Sequence, residues 1–170
     1  KQTIRDFFFT RLNYTKETIS KAKKIKSGKI KTQTYPGFPT DLQPQMGVVL
    51  SMAKGTSIIN ESIWDSRFQY TAELNKMGAQ ITDNFDEIRV KYVNKLNPVH
   101  IKTLPYPGFP TDLQPQMGVV LSVSKGTSII NESIWESRFQ YTDELRKMGA
   151  NITAQGKSAV FQGVDSVDSP

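Results

Sequence analysis

The chain has 170 residues, 37% of them hydrophobic, and carries a net charge of +6 with no cysteine and one histidine. That length allows one domain or two small ones. The absence of cysteine excludes disulfides, thiolate metal sites and cysteine nucleophiles, and the lone His100 cannot build a multi-histidine metal centre. No run of about 18 apolar residues and no charged-then-apolar leader occurs in the sequence, so it is expected to be cytoplasmic, with neither a membrane span nor export. No cofactor is called for.

The charge is local. Residues 1–31 hold ten lysines and arginines against only Asp6 and Glu17, which leaves the rest of the chain slightly acidic. Within this head, Ile4, Phe7, Phe8 and Leu12 form a helical stripe. Thr15 to Glu17 open a second short helix bearing Lys16, Lys21, Lys23 and Lys24. Two readings of the head stay open: a basic surface for nucleic-acid phosphates, or an amphipathic cap whose lysines are simply solvated.

Beyond the head, Tyr35–Thr82 recurs at Tyr106–Thr153 with an offset of 71 residues, and 42 of the 48 positions are identical. The exceptions are Met52/Val123, Ala53/Ser124, Asp65/Glu136, Ala72/Asp143, Asn75/Arg146 and Gln80/Asn151. Old repeats keep their core and let the surface drift. Here the surface is kept too, which points to a very recent duplication or an engineered sequence.

In chain order, each unit opens on a short β-prone stretch, Ile30-Lys31-Thr32 or Ile101-Lys102-Thr103, followed by a Pro-Gly-Phe-Pro turn at 36–39 or 107–110. Thr40 and Gln43 have capping-box spacing with Pro44 in the first turn. They predict a helix with Met46, Val49 and Leu50 on one stripe, stopping near Lys54-Gly55. Thr56 to Ile63 predict a strand, and Phe68, Thr71, Leu74 and Met77 a second helix ending at Gly78. Gln80–Thr82 and the alternating Glu87–Tyr92 predict two further strands. The order is βαβαββ, and the second copy repeats it through Asn151–Thr153 and Ser158–Phe161. The predicted organisation is a helical head over 1–29, α/β units over 30–100 and 101–163, and a frayed tail over 164–170. His100 falls at a strand entrance, where a packing or surface role is expected.

Asp41 and Asp112 sit where a helix starts after a loop. A carboxylate there either caps the helix and faces its dipole, or accepts a proton from a hydroxyl if a cleft partly desolvates it. Arg67 and Arg138 read as exposed helix-start arginines.

The run Tyr35-Pro36-Gly37-Phe38-Pro39-Thr40-Asp41-Leu42-Gln43 is followed by Lys54-Gly55-Thr56-Ser57, Glu61-Ser62-Ile63-Trp64, Arg67-Phe68 and Leu74-Asn75-Lys76-Met77-Gly78-Ala79. In words and in spacing it resembles the UDP-N-acetylglucosamine enolpyruvyl transferases of peptidoglycan synthesis. Lys102-Thr103-Leu104-Pro105 and Gly156-Lys157-Ser158-Ala159-Val160 extend the resemblance over most of residues 30–163. It implies a fold of βαβαββ subdomains, six of which make two domains around a substrate cleft in the family. It also implies proton-acceptor or sugar-hydroxyl roles for Asp41 and Asp112 on the Pro-Gly-Phe-Pro-Thr-Asp loop, beside Thr40 and Thr111, and substrate contacts for Arg67 and Arg138. The family's asparagine before that arginine is Ser66 and Ser137 here. Its amino-terminal lysine–asparagine element, its cysteine loop and its further phosphate-binding arginines have no counterpart.

In the head, Thr3-Ile4-Arg5-Asp6-Phe7, Tyr14 to Thr18 and Gly28-Lys29-Ile30 resemble the small two-helix RNA-binding domain of a ribosomal small-subunit protein and of pseudouridine synthases, without that module's usual ending. The expectation from these features is a non-catalytic tandem-repeat protein derived from an enolpyruvyl transferase, with at most weak nucleotide-sugar binding. Its rivals are a transferase fragment completed by another chain and a nucleic-acid-binding module. Near-identical copies also make a homo-oligomer or a domain-swapped dimer a competing assembly.

Overall fold

A computed structural model describes residues 26–64 and 68–165. The predicted head helices with Lys16, Lys21, Lys23 and Lys24, the arginine at 67 and the end of the tail lie outside the described residues. What is described is two βαβαββ units in tandem. The first runs β1 (Lys29–Lys31), α1 (Gln43–Ser51), β2 (Thr56–Asn60), α2 (Tyr70–Lys76), β3 (Gln80–Asn84) and β4 (Glu87–Lys91). The second runs β5 (His100–Lys102), α3 (Gln114–Ser122), β6 (Thr127–Asn131), α4 (Tyr141–Lys147), β7 (Asn151–Gln155) and β8 (Ser158–Gln162).

Each unit closes its own four-stranded sheet, in the order β1-β2-β4-β3 and β5-β6-β8-β7. The first pair is parallel, with Ile101 opposite Ile130, and the other two are antiparallel, with Ile152 opposite Phe161. The alternation predicted for Glu87–Tyr92 is realised, with Ile88 and Val90 fully buried between exposed Arg89 and Lys91. His100 begins β5 on the surface, its ring nitrogen 2.7 Å from the Asn131 amide.

Three local expectations need correction. The Thr40–Gln43 capping box does not form: a 3-10 turn, Thr40–Leu42, precedes α1, and neither start carries a side-chain cap bond. The hydroxyl of Thr40 is drawn 2.8 Å to the Glu61 carboxylate instead. Nor does α1 bury a single stripe. Gln43, Pro44, Gly47, Val48, Leu50 and Ser51 are all buried while Met46 and Val49 are only half so, because the helix is packed on several sides. It ends at Ser51, short of Lys54, where Met52 and Ala53 donate to carbonyls three residues back and tighten the last turn. Finally, β2 ends at Asn60 because Glu61 turns inward.

The two units share one continuous core, and α1 packs against α3. Between the units, Leu96 is buried, the Asn97 N–H donates to the Met77 carbonyl of the first unit, and the Leu96 carbonyl accepts from Lys125 of the second. The tail is held further than expected: Val164 donates to Ser122 and Asp165 pairs with Lys95 at 3.1 Å.

The repeats differ most visibly at one turn. Between β3 and β4, Phe85 takes φ +57° with its ring almost wholly in solvent, whereas the matching Gly156 takes φ +56°. The backbone demand is the same in both units, and only the second meets it with a residue free of a Cβ clash.

A shared core and a doubly bonded linker predict one unfolding transition for the described body. Leu96→Ala should lower its stability by about 2–4 kcal/mol without splitting the denaturation curve, and two resolved transitions would contradict this. A second expectation concerns the crossing of α1 and α2, where a methyl added at Gly47 would stand 2.0 Å from the hydroxyl of buried Tyr70. Gly47→Ala should therefore destabilise by about 1–3 kcal/mol, opposite in sign to the gain of about 1 kcal/mol expected at an open helical site. Chemical denaturation gives the sign directly.

Candidate functional site

The parallel pair in each unit sends both its following loops from the same sheet end. In the second unit, β5 leads into the Pro-Gly-Phe-Pro loop that carries Thr111 and Asp112, and β6 leads into the loop that carries Trp135 and Arg138. At the meeting point the Arg138 guanidinium pairs with the Asp112 carboxylate at 2.7 Å, both groups reaching solvent. The sequence-predicted residues Asp112 and Arg138 are thus brought together, and Thr111 stands beside them. In the first unit Thr40 and Asp41 occupy the matching loop positions.

Behind this pair lies a residue that the sequence reading placed simply in a strand. Glu132 is 2% exposed and its carboxylate gathers five donors. Oε1 accepts from the Thr103 hydroxyl at 2.7 Å and from the Ile134 and Trp135 N–H groups at 2.8 and 3.1 Å. Oε2 accepts from the Thr111 hydroxyl at 2.7 Å and the Gln114 amide at 3.0 Å. Glu61 repeats the arrangement with Thr32, Thr40, Ile63 and Trp64. Ser62 and Ser133 tie the same loops back to the carbonyls of Thr32 and Thr103. The β-branched run Thr56–Asn60 holds no glycine or proline before Glu61, and the signal available was a carboxylate following the Ile-Ile pair.

Burial alone would raise the pKa of Glu61 and Glu132. The threonine hydroxyls and loop N–H groups more than offset it and hold both carboxyls below the usual carboxylate range. The adjoining tyrosines go the other way, since burial pushes the Tyr70 and Tyr141 hydroxyls well up.

Ser137 has φ +57°, in the left-handed region. Asparagine tolerates that region better than serine, so the family's asparagine before the arginine has a backbone reason at this position. The 3-10 turn Arg138–Gln140 and α4 follow at once.

Exposed apolar side chains crowd the same loop ends: Tyr35, Ile63 and Trp64 in the first unit, Leu104, Tyr106, Ile134 and Trp135 in the second. Among the described residues no cluster of three metal-ligating side chains occurs, and no helix is long and apolar enough to cross a membrane. What the loop ends offer is a cationic fork, a carboxylate and flat apolar surface, suited to an anionic, polyhydroxylated ligand with a ring.

A carboxyl whose folded pKa is lowered stabilises the fold fully above its unfolded value and loses that contribution as pH falls through the folded value. Stability should therefore decline from about pH 4.3 downward, and Glu132→Gln should flatten that acid limb while lowering stability at neutral pH. An acid limb of unchanged steepness in the variant would contradict the assignment.

The family profile for EPSP synthase (3-phosphoshikimate 1-carboxyvinyltransferase) matches residues 9–97 and again 82–168. Similar relatives include the UDP-N-acetylglucosamine 1-carboxyvinyltransferase of Clostridium botulinum, 43% identical over 136 residues, covering 79% of this chain and 33% of the relative. Another is the corresponding enzyme 1 of Caldanaerobacter subterraneus subsp. tengcongensis, 46% identical over 118 residues, covering 69% of this chain and 28% of the relative. The chain thus spans about a third of the length of the curated relatives it matches. Among solved structures, the enolpyruvyl transferase NikO from Streptomyces tendae aligns with a TM-score of 0.62 at 19% identity, over 74% of this chain and 30% of that one. EPSP synthase from Acinetobacter baumannii aligns at 0.57 and 15%, over 73% and 29%. Two successive matches to one family profile, on two units of the same βαβαββ topology, place the chain in the EPSP synthase family.

Proposed function

We propose that the chain presents nucleotide-sugar-facing loop ends of the enolpyruvyl-transferase type and does not transfer an enolpyruvyl group unaided. The observation that carries this reading is the Asp112–Arg138 pair at the carboxyl ends of β5 and β6. The planar guanidinium can take a diphosphate oxygen in place of, or alongside, the carboxylate, and the carboxylate can hold or deprotonate a sugar hydroxyl. Trp135 supplies a flat apolar wall beside them.

Transfer itself asks for more. Phosphoenolpyruvate brings several negative charges that must be neutralised, and both substrates must be held in line with water excluded. Asp112 is 82% exposed, so this loop end is open to water, and closure has to be supplied by further structure, in a longer chain or in another polypeptide. On this reading the tandem copies are a transferase-derived repeat with residual affinity for UDP-N-acetylglucosamine, the substrate in the relatives' names. Such charged substrates do not cross membranes, which fits a cytoplasmic setting.

Purified protein given phosphoenolpyruvate and UDP-N-acetylglucosamine should release no inorganic phosphate. Titration with UDP-N-acetylglucosamine should show binding with Kd near or above about 1 mM, weakened by Arg138→Ala with little change in melting temperature. Phosphate release that disappears in Asp41→Asn or Asp112→Asn would overturn the non-catalytic part of the proposal.

A further inference from the structure

Glu132 is too deeply buried to touch a ligand, yet its carboxylate bridges both loops: Oε1 takes the Thr103 hydroxyl just past β5 together with donors from the loop after β6, and Oε2 takes donors from the loop after β5. Oε1 holds the loop after β6 through the Ile134 and Trp135 N–H groups, three residues ahead of Arg138. Oε2 holds the loop after β5 through Thr111, the residue before Asp112, and the start of α3 through Gln114. The separation of the two loops is thereby set across one rigid carboxylate. Glu61 in the first unit is bonded in the same pattern: Oε1 takes Thr32, Ile63 and Trp64, and Oε2 takes Thr40.

We propose that Glu132 is the positioning residue of the acid–arginine site, setting the relative placement of the Asp112 and Arg138 loops by bonding to both. This rests on the reading of that pair as the nucleotide-sugar contact.

Chemistry makes the carboxylate hard to replace. An ionised glutamate is acceptor-only, with two oxygens and about four lone-pair sites, which suits five converging donors. Glutamine keeps one acceptor oxygen and turns an amide donor toward the other group of donors, so one loop loses its anchor. The Thr111 hydroxyl and the Gln114 amide can then reorient, and the Asp112 loop is free to move away from Arg138. A neighbouring ion pair at 32% and 82% exposure is too weak to hold the loops by itself. The order of dependence therefore runs from the buried carboxylate outward to the pair.

The test uses the full chain and NMR signals of the second unit: the Arg138 Nη–H groups, which bond to Asp112, and the Trp135 indole N–H. UDP-N-acetylglucosamine is titrated into the unmodified protein, Glu132→Gln, Arg138→Ala and the double variant, and affinity is read from the Trp135 signal. Glu132→Gln is expected to weaken binding about tenfold, and to add less than about twofold once Arg138 is already alanine. Equal losses in both backgrounds, or unchanged affinity, overturn the proposal. If the unmodified chain does not bind the nucleotide sugar, the functional reading fails but positioning is still decided. The Arg138 Nη–H signals should move to the position of a free arginine in Glu132→Gln, and unmoved signals overturn the proposal. Should Glu132→Gln not fold, Thr111→Val removes one donor only and is read by the same arginine signals, with a shift expected and its absence decisive against positioning.

Discussion

One buried carboxylate in each unit organises the rest. Taking Glu61 or Glu132 out of water costs several kcal/mol, and hydrogen bonds to a charged group return about 1.5–3 kcal/mol each. Five donors on Glu132 are enough to make the charged form the stable one. The consequence is geometric. The first strand end, the Pro-Gly-Phe-Pro-Thr-Asp loop and the loop after the second strand converge on a single group, so they cannot be placed independently. The chain leaves β2 at Asn60 and β6 at Asn131 because the next residue has to turn inward.

Duplication leaves most of this intact, and the few differing positions show where two equal units must become unequal. Met52, Val123 and Ser124 lie where the linker 92–96 passes between the units. Ala53 and Ser124 are both fully buried there, the serine satisfied by the Leu121 carbonyl. On the second helices, Asn75 clamps β3 by donating to the Ile81 carbonyl and accepting its N–H. Its counterpart Arg146 instead reaches the Ile152 carbonyl and pairs with Asp143, itself an exchange for Ala72. These are coupled exchanges: the carboxylate at 143 accompanies the arginine at 146, one helical turn away. Sheet pairing stays within each unit throughout, and the units meet where α1 packs on α3 and where the linker bonds to both.

The candidate site was partly legible in advance. Asp112, Arg138 and Thr111 could be singled out because loop-then-helix punctuation and the family resemblance both fall on them. Their meeting could not be, since Asp112 and Arg138 are 26 residues apart and are joined only by the parallel pairing of β5 with β6. Thr40 was given a capping role because its spacing to Gln43 fits one. The buried carboxylate, a strong charged acceptor, turns the Thr40 and Thr111 hydroxyls toward itself as donors, away from the helix-start N–H groups.

The sequence by itself determined the repeat, the βαβαββ order and the buried faces of α2 and β4. These depend on local chemistry: turn residues, β-branching and periodicity of two or 3.6. It also located the loops on which function is proposed to sit. Tertiary structure alone decided that α1 is enclosed on several sides, that Leu96 and its neighbours bond to both units, and that Glu61 and Glu132 are interior hubs. Periodicity reports which residues of one element share a face, but a carboxylate's partners come from four separate segments. Their convergence exists only once the sheet and helices have closed around it.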